Sequence, residues 1–344
     1  MPTLSHNVLH KLTCDVLERI DTPAEYAAMV ATSLVGANLA GHDSHGMIRL
    51  PVYVQAVRAG RIVPAARAVV ATATAFVATV IVDGMHGWGQ PAAHLATTEA
   101  MGRAQKFGMA AVVIQHCNHI GRVGEYVERM AGANLVGLAM CNANPNVTPF
   151  GGRKKMLGTN PISIAVPRSD GRPPVLLDAA TSVVAEGKLR VARDKGVQTP
   201  SGWIIDKDGR PTLDPNDFYA GGALLPMGGY KGYGLGVMVE LLGGLLSGMS
   251  AAFLPDFGKG NGVLMMALNP EAFMALEKYL GQVELFCEGI KSAPTAPGVD
   301  QVLLPGEPEE RARAQRTAHG IDLPEATWQS ILTLAGELGV AVPG

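Results

Sequence analysis

The strongest constraint on the fold is where the hydrophobic period changes along the chain. Residues 5 to 20 repeat apolar side chains at helical spacing, with Leu9, Leu12, Val16 and Leu17 on one stripe. A second helix is signalled by Thr22-Pro23-Ala24-Glu25, a capping box with proline at the first helical position. It carries Tyr26, Met29, Val30 and Leu34 to about Leu39, and a third helical stretch ends near Gly60. From Val69 the pattern turns into β-rich runs: Val69 to Thr74, Phe76 to Asp83, Ala110 to Gln115, Val136 to Cys141, Ile162 to Val166, Val175 to Leu177 and Val263 to Leu268. Helical stretches lie between them: Gly87 to Phe107, Val123 to Ala133, Glu186 to Ala192 and Pro270 to Leu280. The helical period returns over Pro308 to His319 and Pro324 to Leu338, the latter capped by Asp322-Leu323-Pro324-Glu325. This order predicts an α/β protein in which residues 1–66 and 300–344 form a helical lobe around an α/β domain at 67–299.

Two stretches imitate other folds. Gly232 to Leu254 has the length of a membrane span with Glu240 as its only charge. Its glycines, that central carboxylate and the lack of a partner span read instead as a buried core helix followed by a Gly/Ser turn. Gly87-Trp88-Gly89-Gln90-Pro91-Ala92 fits the dinucleotide fingerprint G-x-G-x-x-A. The next strand, however, ends in Gln115-His116-Cys117, where the fingerprint needs a carboxylate, so a Rossmann reading is rejected. The net charge of -2 and the absence of a basic run argue against nucleic acid. Cys14, Cys117, Cys141 and Cys287 are widely spaced without a C-x-x-C pair, which suits free thiols in a reducing compartment. The polar, amphipathic N-terminus is not a signal peptide, so the expected location is cytoplasmic.

The densest chemistry lies in Gly41-His42-Asp43-Ser44-His45-Gly46-Met47-Ile48-Arg49-Leu50-Pro51-Val52-Tyr53-Val54. If Asp43 or Ser44 caps a helix, His45, Arg49 and Tyr53 fall at i, i+4 and i+8 on one stripe. A guanidinium clamps a carboxylate with paired bonds, and an imidazole moves a proton near neutral pH. Together they suit a carboxylate beside a carbon bearing OH or C=O. The same residue types also suit a solvated helix face. His119, in Asn118-His119-Ile120-Gly121-Arg122 after a strand, is a second acid–base candidate or else a strand-end cap. Pro149-Phe150-Gly151-Gly152-Arg153-Lys154-Lys155 offers glycines and cations to phosphates, although Lys154 and Lys155 suit a solvated turn. Asp178-Ala179-Ala180-Thr181-Ser182 pairs small residues with hydroxyl donors, and the loop-rich Thr212 to Leu225 reads as a lid. Of His42, His45, His86, His94, His116 and His119, none has a carboxylate-supported H-E-x-x-H or H-x-x-x-H pattern on one helix, so no metal is expected.

The first stretch resembles the G-x-D-S-H-G-x-x-R-x-x-x-Y signature of the malate/L-lactate/ureidoglycolate dehydrogenases, the sulfolactate-dehydrogenase-like family. Asn118-His119-Ile120-Gly121, Pro149-Phe150-Gly151-Gly152, Gly158-Thr159-Asn160-Pro161, Leu177-Asp178-Ala179-Ala180-Thr181-Ser182, Tyr230-Lys231-Gly232-Tyr233 and Leu304-Pro305-Gly306-Glu307 match it in order. The resemblance covers nearly the whole chain. It implies a non-Rossmann fold with a mixed sheet flanked by helices, binding NAD or NADP. It further implies hydride transfer between that cofactor and a 2-hydroxy or 2-oxo acid, with a cyclic imine carboxylate or ureidoglycolate as alternative substrates. His45 and His119 become the catalytic pair, with the identity of the base left open, and Arg49, Tyr53 and Ser44 hold the substrate. Cofactor contacts are implied for Asn142, Gly158, Thr159, Asn160, Asp178, Ala180, Thr181, Ser182, Lys231, Pro305, Gly306 and Glu307. A homodimer or larger homo-oligomer is implied too, with the site near the subunit contact. A non-catalytic cofactor-binding protein is the alternative from another class.

Overall fold

The computed structural model describes residues 2–71, 76–258 and 260–342. β1 (Thr3–Leu4) leads into α1 (His6–Glu18), where Ser5 Oγ accepts the Val8 N–H and the expected stripe is fully buried. α2 (Ala24–Leu39) does not start from the expected capping box. Pro23 itself occupies the N-cap, Thr22 Oγ1 is buried without a partner, and Glu25 pairs with Arg67 at 2.8 Å. α3 (Leu50–Arg58) follows two short 3-10 turns, and Gly60 at φ 69° ends it.

The sheet starts with β2 (Val69–Val70) and β3 (Thr79–Asp83). Residues 72–74 of the expected first run lie outside the described residues, and residues 76–78 form an open turn rather than strand. Phe76 and Val77 are exposed there, so burial does not hold them extended. Next come α4 (Gly89–Phe107), β4 (Met109–Cys117), α5 (Gly124–Gly132), β5 (Val136–Cys141), β6 (Ile162–Val166) and β7 (Val175–Ala179). A small sheet and its helices follow: α6 (Glu186–Asp194), β8 (Ile204–Ile205), β9 (Pro211–Thr212), α7 (Pro215–Tyr219) and β10 (Ala223–Leu224). The chain closes with α8 (Tyr230–Val239), a π-helical turn (Glu240–Leu245), β11 (Asn261–Leu268), α9 (Leu276–Lys291), α10 (Glu307–His319), β12 (Ile321–Asp322) and α11 (Glu325–Glu337). Pro270–Ala272, expected to open a helix, is a separate 3-10 turn before α9. α11 begins after Pro324 without the expected Asp322 cap, because Asp322 accepts instead from Thr3 Oγ1 at 2.5 Å.

Seven strands pair in the order β2-β3-β4-β11-β5-β6-β7, and among the described strands only β3 and β4 run parallel. The sheet is therefore mixed and flanked by helices. β11 joins β4 to β5 antiparallel on both sides, so a late segment completes the centre of an early sheet. α4 meets the sheet through Ala92, Ala93, Ala96, Ala100 and Ala104, whose small side chains let the helix lie close over Val80, Val82, Val112 and Ile114. A second core joins the two chain ends, with Leu9, Leu12, Leu34, Leu50 and Val54 packed with Ile321, Leu323, Trp328 and Ile331. The expected packing of the helical tail onto the first helices is thus observed.

Thr212 to Leu225 is not a lid. Phe218, Ala223 and Leu224 are buried, and the segment forms α7 and the β10-β8-β9 sheet over Val147, Leu157 and Leu189. Lys155 is not a solvated turn residue either, since its Nζ donates to Phe218 O at 2.9 Å and sits over that ring. Nor is Gly232 to Leu254 one buried helix. Gly232, Gly236, Glu240, Gly243 and Gly244 face inward, while Leu235, Met238, Leu241, Leu242, Leu245 and Leu246 are exposed. Hydropathy reports how apolar a stretch is, not which side of it is buried. Among the described residues no helix is long and apolar enough to cross a membrane.

Because Ile331 sits in the core shared by both chain ends, Ile331→Ala is expected to lower unfolding free energy by about 2–5 kcal/mol. Urea denaturation followed by circular dichroism checks this, and an unchanged midpoint would refute the shared core.

Candidate active site

The Gly41–Val54 stretch is not one helix. Asp43–His45 and Met47–Arg49 are separate 3-10 turns, broken at Gly46 (φ -89°, ψ -147°), and neither has a side-chain cap. Asp43 and Ser44 are used elsewhere. Asp43 accepts from Asn38 Nδ2 (2.6 Å) and from Arg316 on α10 (2.6 and 3.1 Å), while Ser44 Oγ meets His45 Nδ1 at 3.1 Å. Asn38 Oδ1 also accepts the Met47 N–H at 2.8 Å. Gly46 is required at the crossing, since a Cβ there would lie 2.1 Å from Asn38 Oδ1. The expected stripe therefore forms by a different route. Asn38 and Arg316 fold the turn, and Arg49 Nε closes it by donating to Ser44 O at 2.7 Å.

These turns face the loop after β4. The rings of His45 and His119 stack with centroids 5.6 Å apart and planes 12° apart. Tyr53 is buried, and its Oη lies 2.7 Å from His119 Nδ1 and accepts from Gln90 Nε2 at 2.8 Å. The Gly121 N–H also donates to His119 Nδ1, at 3.3 Å. A backbone N–H can only donate, so Nδ1 accepts from both Gly121 and Tyr53, and the His119 proton resides on Nε2. The strand-end reading of His119 is met at Nδ1, which takes a backbone N–H, while Nε2 has no partner among the described residues. Both rings are half-buried and keep some solvent access.

The electrostatics are one-sided. Burial, then the Arg49 charge, then His42 and Arg122, bring the His45 pKa down to about 3. Burial and then Arg49 hold His119 well below its usual range. Burial also pushes the Tyr53 phenol up to about 12, against the pull of Arg49. Arg49 commits only Nε to protein, and among the described residues its two terminal nitrogens have no carboxylate. Two neutral imidazoles and an unpaired guanidinium end make a seat for an anion.

A family model described as malate/L-lactate dehydrogenase matches residues 4–332. The chain belongs to the malate/L-lactate dehydrogenase family. An L-lactate dehydrogenase of Cupriavidus necator is 39% identical, over 97% of both chains. An L-sulfolactate dehydrogenase of Methanocaldococcus jannaschii is 35% identical, over 96% of both. Among solved structures, a putative malate/lactate dehydrogenase from E. coli superposes with a TM-score of 0.93 at 36% identity, covering 99% of this chain and 96% of that one. A delta1-piperideine-2-carboxylate reductase from Pseudomonas syringae gives 0.84 at 31% identity, over 97% and 100%. The mixed, non-Rossmann sheet is the family's fold. Gly89 gives the local reason why α4 lacks a dinucleotide turn: a Cβ there would lie 2.3 Å from the carbonyls of both Asn118 and His119. That glycine admits the Asn118–His119 backbone against the helix start.

The residues that family likeness marks for a cofactor fall into three places. Asn142, Gly158 and Asn160 surround buried Glu240, and Thr181 donates through N and Oγ1 to Thr159 O at 2.9 and 3.2 Å. Ser182 Oγ donates to Val184 O, Ala180 is half-buried, and Lys231 is exposed in the first turn of α8. Asp178 is buried against the Gly124 N–H (3.1 Å) and Arg122 (3.7 Å), where burial raises its pKa and Arg122 opposes the rise. Pro305, Gly306 and Glu307 line a cavity of about 320 Å³ with Arg168 and Arg311, and Glu307 pairs with Lys291. Gln90, Asn38 and Arg316 escaped sequence reasoning. Gln90 stood inside the rejected fingerprint, and nothing local marks a residue whose role is to bond a tyrosine from another layer.

The histidine shifts carry a stability signature. Both folded-state values lie below the ordinary value of 6.5, so the unfolded chain binds more protons below that pH. Stability is expected to fall as pH drops from about 6.5 toward 3. Replacing both histidines with glutamine should flatten urea midpoints over that window relative to wild type. An equal slope in the double variant would refute the assignment.

Proposed function

We propose that this chain is an NAD(P)-dependent oxidoreductase that interconverts 2-hydroxy and 2-oxo carboxylates. The observation that carries this reading is the Arg49 guanidinium, whose terminal nitrogens meet no carboxylate among the described residues, beside the stacked His45 and His119. The substrate carboxylate pairs with Arg49, which fixes the face that the reacting carbon presents. His119 Nε2–H donates to the substrate oxygen and stabilises charge developing there. His45 carries the proton. Its Nδ1 partner is a hydroxyl that turns to donate or accept, so His45 changes protonation without losing Ser44. His119 lacks that freedom because a backbone N–H points at its Nδ1. Burial depresses His45 most and the Arg49 charge next, and a bound carboxylate opposes the Arg49 contribution, raising the His45 pKa when a proton must move.

The chain offers a fit for the dinucleotide phosphates. α8 starts without a side-chain cap after Gly228 and Gly229, both at positive φ (57° and 64°), and a Cβ on Gly228 would meet nothing within 4 Å. Its first N–H groups and exposed Lys231 suit a phosphate. The nicotinamide supplies or accepts the hydride when bound. Asn142, Gly158, Thr159, Asn160, Asp178, Ala180, Thr181, Ser182 and the Pro305–Glu307 turn stay assigned to the cofactor side on family likeness. Self-association is part of the proposal, supported by the exposed leucines and Met238 of α8 and its π-helical turn.

An absorbance screen at 340 nm with NADH and NADPH against linear 2-oxo acids and a cyclic imine carboxylate tests the reaction. Turnover of a linear 2-oxo acid is the expected result. Turnover of the imine alone transfers the chain to reductases like the Pseudomonas neighbour, and no turnover removes the reading. Arg49→Met should lower kcat/KM by about 100-fold or more through lost carboxylate binding. His45→Gln should lower kcat by about 100- to 10,000-fold and abolish its pH-dependent limb. His119→Gln keeps a donor and should retain that limb, and the opposite pattern would exchange the two roles. Light scattering is expected to give a multiple of 35.9 kDa, and a monomer at micromolar concentration would exclude self-association.

A further inference from the structure

Glu240 is a buried carboxylate that pairs with no cation among the described residues, and the proposed chemistry makes no use of it. It sits 3% exposed where α8 passes into the π-helical turn. Four neutral donors fill its two oxygens. Oε1 accepts from the Gly158 N–H at 3.1 Å and Asn160 Nδ2 at 2.9 Å. Oε2 accepts from Asn142 Nδ2 and the Ala252 N–H, both at 3.0 Å. Removing a carboxylate from water is costly unless its lone pairs are met, so all four donors are needed to keep it there.

The donors come from segments far apart in sequence: the end of β5, the loop before β6 and the loop after the π-helical turn. Each is cross-braced. Asn142 Oδ1 accepts the Gly262 N–H at 2.8 Å, and Asn160 Oδ1 accepts the Ala143 N–H at 3.1 Å. Asn160 is held at φ 39°, a left-handed conformation its side-chain bonds stabilise. Gly158 fits only as glycine, because a Cβ would lie 2.3 Å from Ala143 O. The bracing continues through Thr159 O to Thr181, and from Thr181 O to the Met227 N–H at 2.9 Å, just before the open start of α8. One carboxylate thus ties together most of the backbone that family likeness assigns to the cofactor.

We propose that Glu240 is a positioning residue for the cofactor, holding the 142–143, 158–160 and 227–231 segments in the geometry that binds the dinucleotide. This rests on the dinucleotide reading above. A glutamine at 240 turns one acceptor into an amide that faces donors, so the cradle opens while the volume stays the same.

The test is direct binding of NADH and NADPH, read from nicotinamide fluorescence without substrate, for wild type, Glu240→Gln and Val82→Ala. Val82 is fully buried in the sheet core away from this network, so Val82→Ala supplies a destabilised control. The expected result is a rise in cofactor Kd of about tenfold for Glu240→Gln and no change for Val82→Ala. The pH limb of kcat, carried by His45, should be unmoved in Glu240→Gln. If Glu240→Gln does not fold, Glu240→Asp carries the same expectation, because its shorter arm cannot reach both donor pairs. A rise below about twofold, or an equal rise in Val82→Ala, overturns the positioning role. Wild-type protein that binds neither dinucleotide removes both this role and the dinucleotide reading. Binding by wild type with an unchanged variant removes this role alone.

Discussion

The hydrogen bond from Tyr53 Oη to His119 Nδ1 crosses the boundary between the molecule's two main cores. Tyr53 belongs to the core built from the chain ends, and His119 follows a strand of the central sheet. Gln90, at the start of α4, orients the phenol by donating to it, which leaves Tyr53 one proton to give. His119 is therefore aligned only when the helical lobe and the sheet are docked. Loss of docking would free both rings to solvent and remove the burial that keeps them neutral.

Docking depends on close backbone approach at two glycines. Gly46 lets Asn38 reach inside the turn that carries His45, and Gly89 lets the Asn118–His119 backbone lie on the start of α4. Side chains at either place would separate the imidazoles before any bond between them could matter. α10 adds a brace from the far end of the chain, through Arg316 on Asp43. The C-terminal segment thus helps set the turn that carries His45.

The resulting electrostatics explain how an uncompensated arginine is tolerated beside buried histidines. Burial and the Arg49 charge hold both histidines neutral, so neither adds a positive charge beside Arg49. In the proposed reaction the substrate carboxylate would pair with that charge and act on the imidazoles at the same time. Glu240 is the opposite solution to a buried charge, a carboxylate met by four fixed neutral donors and suited to holding structure rather than to changing state.

The strands were largely legible because β-rich runs such as Val136–Cys141 and Ile162–Val166 carry their preference locally, and the stripe of α1 reports burial by its period. The motif at Gly41–Val54 likewise named His45, Arg49 and Tyr53 from residue types alone. The capping boxes failed because proline took each N-cap, and the continuous helix through His45 failed because Asn38 competed for the turn. Which side of the Gly232–Leu254 segment is buried, and the loss of the supposed lid into a packed sheet, depended on partners distant in the chain. The sequence by itself determined the chemistry available and the elements whose burial is periodic. Only the tertiary structure decided which nitrogen of His119 faces backbone and phenol, that Arg49 spends its Nε on Ser44 O, and which groups meet Gln90 and Glu240. Those properties arise from contacts across large separations in sequence, and local pattern holds no record of them.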